Sequence, residues 1–122
     1  MTNQWKHIQV SHEGGIVLVC LLDKHILDEL TIREIGEELD QVLADAPSPH
    51  VVLDFSDVEH LSSSALGMLI TLNSRLQDRD GGLCLVNVGE SIGEVFRITR
   101  LDRVLSSVSD LAEARATLLS DE

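Results

Sequence analysis

Residues 51–70, Val51-Val52-Leu53-Asp54-Phe55-Ser56-Asp57-Val58-Glu59-His60-Leu61-Ser62-Ser63-Ser64-Ala65-Leu66-Gly67-Met68-Leu69-Ile70, read as a buried strand, a short loop, three serines and an amphipathic helix. Three hydroxyls fall where the helix should begin. The first turn of a helix has backbone N–H groups without intrahelical partners and carries partial positive charge. A serine there caps the helix, and the same place tolerates an added phosphate. The residues alone leave both readings open, an ordinary N-cap or a phosphorylation switch.

Working outward, Trp5 to Val10 and Ile16 to Leu22 are expected to form a hairpin, with Glu13-Gly14-Gly15 as its turn. The second strand is apolar throughout, as expected of a strand covered on both faces. Asp23 to Leu30 reads as a connection, and Thr31-Ile32-Arg33-Glu34 as a capping box. The helix it opens buries Ile35, Leu39, Val42 and Leu43, and Pro47 and Pro49 end it. Val51 to Phe55 is a short central strand. The helix after it, starting at Ser63 or Ser64, places Leu66, Leu69, Ile70, Asn73 and Leu76 near one face and stops at Gly81-Gly82.

Leu83 to Val88 is the next strand, and Gly89 to Arg100 has helical spacing in Ile92, Val95 and Phe96. Val104 to Val108 reads as a last strand, and Asp110-Leu111-Ala112-Glu113 opens a C-terminal helix through Leu118. Such alternation predicts a single α/β domain over residues 1–122 with a mixed, mostly parallel sheet flanked by helices.

The 122 residues are 43% hydrophobic, so a packed core is expected rather than disorder. That core is aliphatic, with one Trp, two Phe and no Tyr, which leaves no platform for stacking nucleic-acid bases. A formal charge of −12 also argues against nucleic acid and anionic membranes as partners. The polar start does not resemble a signal peptide, and the run Ile16 to Leu22 is far below transmembrane length. A cytoplasmic protein is expected. Cys20 and Cys84 fall in apolar strands outside any Cys-x-x-Cys motif and read as reduced core cysteines.

Enzyme motifs are scarce. Ser62-Ser63-Ser64 is not a Gly-x-Ser-x-Gly elbow, and His60 is not made a base by lying three residues before Ser63. His7, His12, His25, His50 and His60 lack metal-ligand spacing, and Gly81-Gly82 with Gly89 forms no Walker-type loop, so no metal or cofactor is expected. Asp54 and Asp57 flank a strand end where acidic residues sometimes hold magnesium. With no second acidic cluster tied to them, a solvated loop is the simpler reading.

The serine segment resembles the signature of the STAS family, the domain shared by sulfate transporters and anti-sigma factor antagonists. That signature is a strand ending in Asp or Asn, a short loop, then Asp-Ser-Ser-Gly-Leu-Gly. Ser62-Ser63-Ser64-Ala65-Leu66-Gly67 match it here. Leu27-Asp28-Glu29-Leu30-Thr31, Gly81 to Asn87, and Val95 to Leu101 are similar to three further family segments in the same order, so the resemblance covers nearly the whole chain.

The resemblance implies a regulatory protein without catalytic activity that binds a kinase-type anti-sigma factor and frees its sigma factor. Phosphorylation at Ser63 would end that binding and a phosphatase would reset it. The partner surface is expected to comprise Asp57, His60, Ser62, Ser63, Ser64 and Met68, with core packing the alternative role for Met68. Two residues depart from the signature, Ser62 for its Asp and Ala65 for its first Gly. A constitutive, unphosphorylated STAS scaffold and a transporter-type STAS domain are the alternative readings.

Overall fold

In the computed structural model, which describes residues 5–45 and 50–119, five strands form one sheet. The hairpin comprises β1 (Ile8–Glu13) and β2 (Ile16–Leu21), paired antiparallel from Ile8↔Leu21 to Glu13↔Ile16. Gly14 and Gly15 both have positive φ, 51° and 86°, as a two-residue primed turn requires. The first strand starts at Ile8 rather than Trp5, and Trp5 instead packs half-buried against the core.

A two-residue strand, β3 (His25–Ile26), interrupts the expected connection, and α1 (Glu29–Asp45) follows. This helix begins two residues before Thr31, so Thr31 is not its cap. The Asp28 carboxylate accepts the Thr31 backbone N–H at 3.0 Å and the Thr31 hydroxyl at 2.8 Å. Those bonds hold the Asp28 carboxyl below its ordinary pKa. A charged acceptor at the helix start outcompetes a threonine hydroxyl, and Glu34, freed from the box, turns to His7. Pro47 and Pro49 lie outside the described residues.

The remaining elements are β4 (His50–Asp54), β5 (His60–Leu61), α2 (Ser63–Asp78), β6 (Gly82–Val86), α3 (Glu90–Ile98), a 3-10 turn (Leu101–Arg103), β7 (Ser106–Val108) and α4 (Leu111–Leu119). The sheet order is β1-β2-β4-β6-β7, and all pairings after the hairpin are parallel. The strand β4 is central, and Val51, Val52 and Leu53 are fully buried. A separate parallel pair joins β3 to β5.

Each crossover advances one strand in the same direction across the sheet. Right-handed connections therefore put α1, α2 and α3 on one face, over the main core of Ile35, Leu39, Leu53, Leu69, Leu76, Leu85 and Phe96. The other face is covered by α4, against Ile16, Val52, Cys84 and Val86. This cover is narrow, so Leu18 and Cys20 of β2 are only half-buried, and Leu22 lies beyond the strand and exposed.

Two helix ends refine the sequence reading. The helix α2 ends in a Schellman arrangement in which Gly81 N–H bonds to Leu76 C=O at 2.7 Å and Asp80 N–H to Gln77 C=O at 3.0 Å. The left-handed residue is Asp80, with φ 62°, and Gly82 already belongs to β6. The expected buried face of α2 holds at Leu66, Leu69, Asn73 and Leu76, while Ile70 is exposed and Leu72 is buried in its stead. At α4, Asp110 accepts the Glu113 N–H at 2.9 Å as its box requires, and Glu113 reaches back to the Ser109 N–H at 3.0 Å.

The cysteines cannot pair. Cys20 lies beside Asp54 of β4 and Cys84 beside Val52 on that strand's other edge. They are two strand spacings apart, about 9–10 Å, beyond the reach of a disulfide. Burial first, and then the Asp54 carboxylate, push the Cys20 thiol up from its ordinary pKa. Burial also raises Cys84.

Candidate functional site

The serines stand where the chain leaves the carboxyl edge of the parallel strands, the side on which open α/β sheets carry their sites. Asp54 ends β4, and its Oδ1 accepts the Ser56 backbone N–H at 2.9 Å, the Ser56 hydroxyl at 2.7 Å and the Asn87 side-chain amide at 3.0 Å. Partial burial opposes its ionisation, but these donors outweigh burial and leave its carboxyl below the ordinary pKa. Asp54 is thus the anchor of a turn, while Asp57 stands exposed on that turn. Val58 is buried and pins the loop from beneath.

Beyond Val58 the chain runs alongside β3. The Lys24 carbonyl accepts the N–H groups of Glu59 at 2.8 Å and His60 at 3.3 Å, and the Ile26 carbonyl accepts that of Ser62 at 3.1 Å. These bonds deliver Ser62 to the helix start in extended conformation, φ −88° and ψ 169°. Its Oγ accepts the Ala65 N–H at 3.2 Å, so Ser62 is the N-cap and Ser63 the first helical residue.

The three hydroxyls therefore have three separate fates. That of Ser62 is engaged in the cap and half-buried. That of Ser64 donates to Glu29 Oε2 at 2.9 Å, joining the first turns of α2 and α1. That of Ser63 is exposed and makes no side-chain hydrogen bond among the described residues.

His60 does not face a serine. Its Nδ1 lies 2.9 Å from Nδ1 of His25, the residue opposite it in the β3–β5 register. A serine–histidine nucleophile is thus not assembled by these groups. Met68 sits a turn further along α2, half-buried, where a Cβ added to Gly36 of α1 would meet its sulfur at 3.7 Å. It closes part of the groove between the two helices and exposes the rest of its side chain. Gly67 is exposed, and a Cβ there would meet nothing within 4 Å.

On the other side of the serine turn lies an open cleft of about 220 Å³. Leu27, Leu61, Leu66, Ile92 and Val95 line it with His60. Leu27 and Val95 are 51% and 42% exposed, and Leu30 of α1 and Ile98 of α3 are exposed as well. Ile92, Val95 and Phe96 are the apolar residues at helical spacing on α3. The structure buries Ile92 and Phe96 and leaves Val95 in the cleft.

Sequence reasoning missed a second polar cluster. His7 is 6% exposed, with Nδ1 facing both Asp23 oxygens at 2.9 and 3.1 Å and Nε2 facing Glu34 Oε1 at 2.8 Å. Glu38 accepts the backbone N–H groups of Lys6 and His7, each at 3.0 Å. Burial alone would lower the His7 pKa, but hydrogen bonds to Glu34 and Asp23 outweigh it and the net shift is upward. Only the tertiary fold brings residues 7, 23 and 34 together.

No helix among the described residues is long and apolar enough to cross a membrane. Comparison with known proteins matches residues 7–114 to the STAS domain. A Thermotoga neapolitana protein named as a candidate anti-sigma factor antagonist homolog is 31% identical over 64 residues, 52% of this chain and 57% of that protein. The chain thus matches little more than half the length of that curated relative.

Among solved structures, a candidate anti-sigma factor antagonist from Thermotoga maritima superposes with a TM-score of 0.79 at 20% identity, covering 91% of this chain and 93% of that one. An anti-sigma factor antagonist from Mycobacterium paratuberculosis superposes with a TM-score of 0.77 at 26% identity, over 91% and 92% of the two chains. With the match spanning both faces of the sheet and the whole serine turn, the chain belongs to the STAS domain family.

Proposed function

We propose that this protein is an anti-sigma factor antagonist. It binds a kinase-type anti-sigma factor in the cytoplasm and so releases the sigma factor held by that kinase. Phosphorylation at Ser63 ends the binding, and a phosphatase restores it. The protein acts by binding, without catalysis, nucleic acid or membrane of its own.

One observation carries this reading. Ser62 takes the capping role, which leaves the adjacent Ser63 hydroxyl exposed and unengaged at the first turn of α2. The names of the relatives support it in kind. The partner surface consists of Asp57, His60, Ser62, Ser63, Ser64 and Met68, extended by the apolar cleft beside Leu61 and Leu66. An apolar patch rimmed by polar residues is what a partner surface requires.

Gly67 adds to the reading. Helix packing does not demand a glycine there, so a close approach by another molecule explains it better than the fold does. A phosphoryl group on Ser63 adds about −1.5 to −2 charge. It would do so next to Ser64, which holds the Glu29 carboxylate, and near the acidic loop of Asp57 and Glu59. The helix N-terminus tolerates this charge, so the domain stays folded while the surface becomes hostile to a partner that docks on it.

The test is incubation with the cognate kinase-type anti-sigma factor and ATP, followed by intact-mass analysis and a pull-down. One added phosphate at Ser63 and loss of capture support the switch. Capture without any modification supports a constitutive scaffold, and no capture at all removes the antagonist reading.

A further inference from the structure

We infer that His25, Glu59 and His60 form a three-ligand site for a first-row divalent transition-metal ion, with Zn²⁺ as its representative. This reverses the expectation from histidine spacing. The two histidines are 35 residues apart in the chain, too far for a local ligand motif, but β3 and β5 pair in parallel and His25 is the direct partner of His60. Among the described residues this is the one group of three His, Cys, Asp or Glu side chains whose ligand atoms converge, all within 4.8 Å of one another.

The spacing suits a metal. The Nδ1 atoms are 2.9 Å apart and the rings lie nearly parallel, 14° between planes with centroids at 4.9 Å. Two nitrogens each bonded to Zn²⁺ at about 2.0–2.1 Å lie roughly 2.9–3.4 Å from each other at the angles of octahedral to tetrahedral coordination. Two nitrogens this close can share only a single proton between them. A cation in that place satisfies both lone pairs, with each ring's proton carried on Nε2. In this structure the two Nδ1 atoms face each other across the gap, so each exposed ring must turn by roughly 35–45° to aim its lone pair at one ion at octahedral to tetrahedral angles, and a swing of the exposed Glu59 side chain brings in the third ligand.

The backbone is already set, because the Lys24 carbonyl holds the N–H groups of both Glu59 and His60. Imidazole and carboxylate together select Zn²⁺ and its neighbours over Mg²⁺ or Ca²⁺, which favour all-oxygen sites. Three protein ligands leave a position open to solvent. A bound ion would clasp β3 to β5 two residues before Ser62, and so stiffen the approach to the helix start.

Calorimetric titration of the untagged, chelator-treated full chain with zinc chloride tests the site. One ion per chain is expected. His25→Ala and His60→Ala should each lower affinity by about tenfold or more, since removing even an outer-shell partner of a metal ligand costs about 10–100-fold. Glu59→Gln should weaken binding, and His12→Ala, elsewhere on β1, should leave it unchanged.

All three proposed ligands are exposed, and circular dichroism checks that the variants fold. In the wild type, zinc should shift the imidazole nitrogen resonances of His25 and His60, a readout that needs no variant. Cobalt substitution should give visible d–d bands without a thiolate charge-transfer band. No binding by the wild type, equal binding by the His25→Ala/His60→Ala double variant, or a thiolate band assigning the metal to Cys20 or Cys84 would overturn the proposal.

Discussion

The Ser64 hydroxyl donates to Glu29 Oε2 at 2.9 Å, so the first turn of α2 is tied to the first turn of α1. With Ser62 engaged in the cap, this bond leaves the residue between them as the free hydroxyl of the three. The geometry sorts the serines by role, and each can be tested alone.

Ser62→Ala should destabilise the domain by about 1 kcal/mol through loss of the N-cap. Ser62→Asp should instead stabilise it by about 0.3–1 kcal/mol, because a carboxylate at a helix N-terminus adds charge–dipole attraction. Urea unfolding midpoints at unchanged slope measure both. The same Ser62→Asp change restores the family's acidic residue and should raise the rate of Ser63 phosphorylation by the cognate kinase, read by intact mass.

Ser63→Ala should change stability by no more than about 0.5 kcal/mol, as expected of an exposed side chain without partners. It should nonetheless abolish modification by the kinase. Ser63→Arg should stay folded and lose capture of the kinase-type partner in a pull-down. Unchanged capture would place the partner surface elsewhere.

Gly67→Ala separates folding from binding. A Cβ there meets nothing within 4 Å, and alanine in place of a helix-interior glycine should stabilise by roughly 1 kcal/mol. Partner capture should weaken in the same variant, because the added methyl stands on the face proposed for docking. A variant that is both more stable and fully competent would show that the partner does not approach the helix there.

The His7 cluster predicts a pH profile. His7, faced by Asp23, Glu34 and Glu38, with Lys6 paired to Glu34, has its folded-state pKa raised above the ordinary 6.5. Its contribution is therefore complete below the unfolded-state value and is lost as pH rises through the raised folded-state value. The His7 hydrogen bond likewise holds Glu34 below its ordinary 4.5, so that part is lost as pH falls through the lowered value. Stability from the pair should be greatest between the two. His7→Gln should flatten the alkaline limb of the profile measured by thermal unfolding from pH 6 to 9.

The strand β4 and the helix α2 were legible because their signals are local. An apolar run of strand length, a polar loop and a hydroxyl before a helical repeat all lie within twenty consecutive residues. The start of α2 fell on Ser63 as expected, and β4 took the central place. The errors arose where two local signals compete. Asp28 and Thr31 can both cap a helix, and charge decides for Asp28. Gly81 is the obvious stop residue, yet Asp80 takes the left-handed position and Gly81 supplies the returning N–H.

The candidate site was legible at its serines for the same reason. Its histidines were not, because their partners are set by register and packing. His7 meets Glu34 through the tertiary fold, and His25 meets His60 across paired strands. An alternation pattern carries no record of which residues lie opposite one another.

The sheet's second face has a consequence for biosynthesis. Ile16, Val52, Cys84 and Val86 are sealed by α4, and α4 leaves the ribosome after every strand it covers. Until then the nascent domain presents a bare aliphatic stripe across strands that are otherwise paired and backed by three helices. That interval is when a chaperone has something to hold, and when two unfinished chains have most reason to adhere. The docking of Ala114 and its neighbours is the step that closes this stripe.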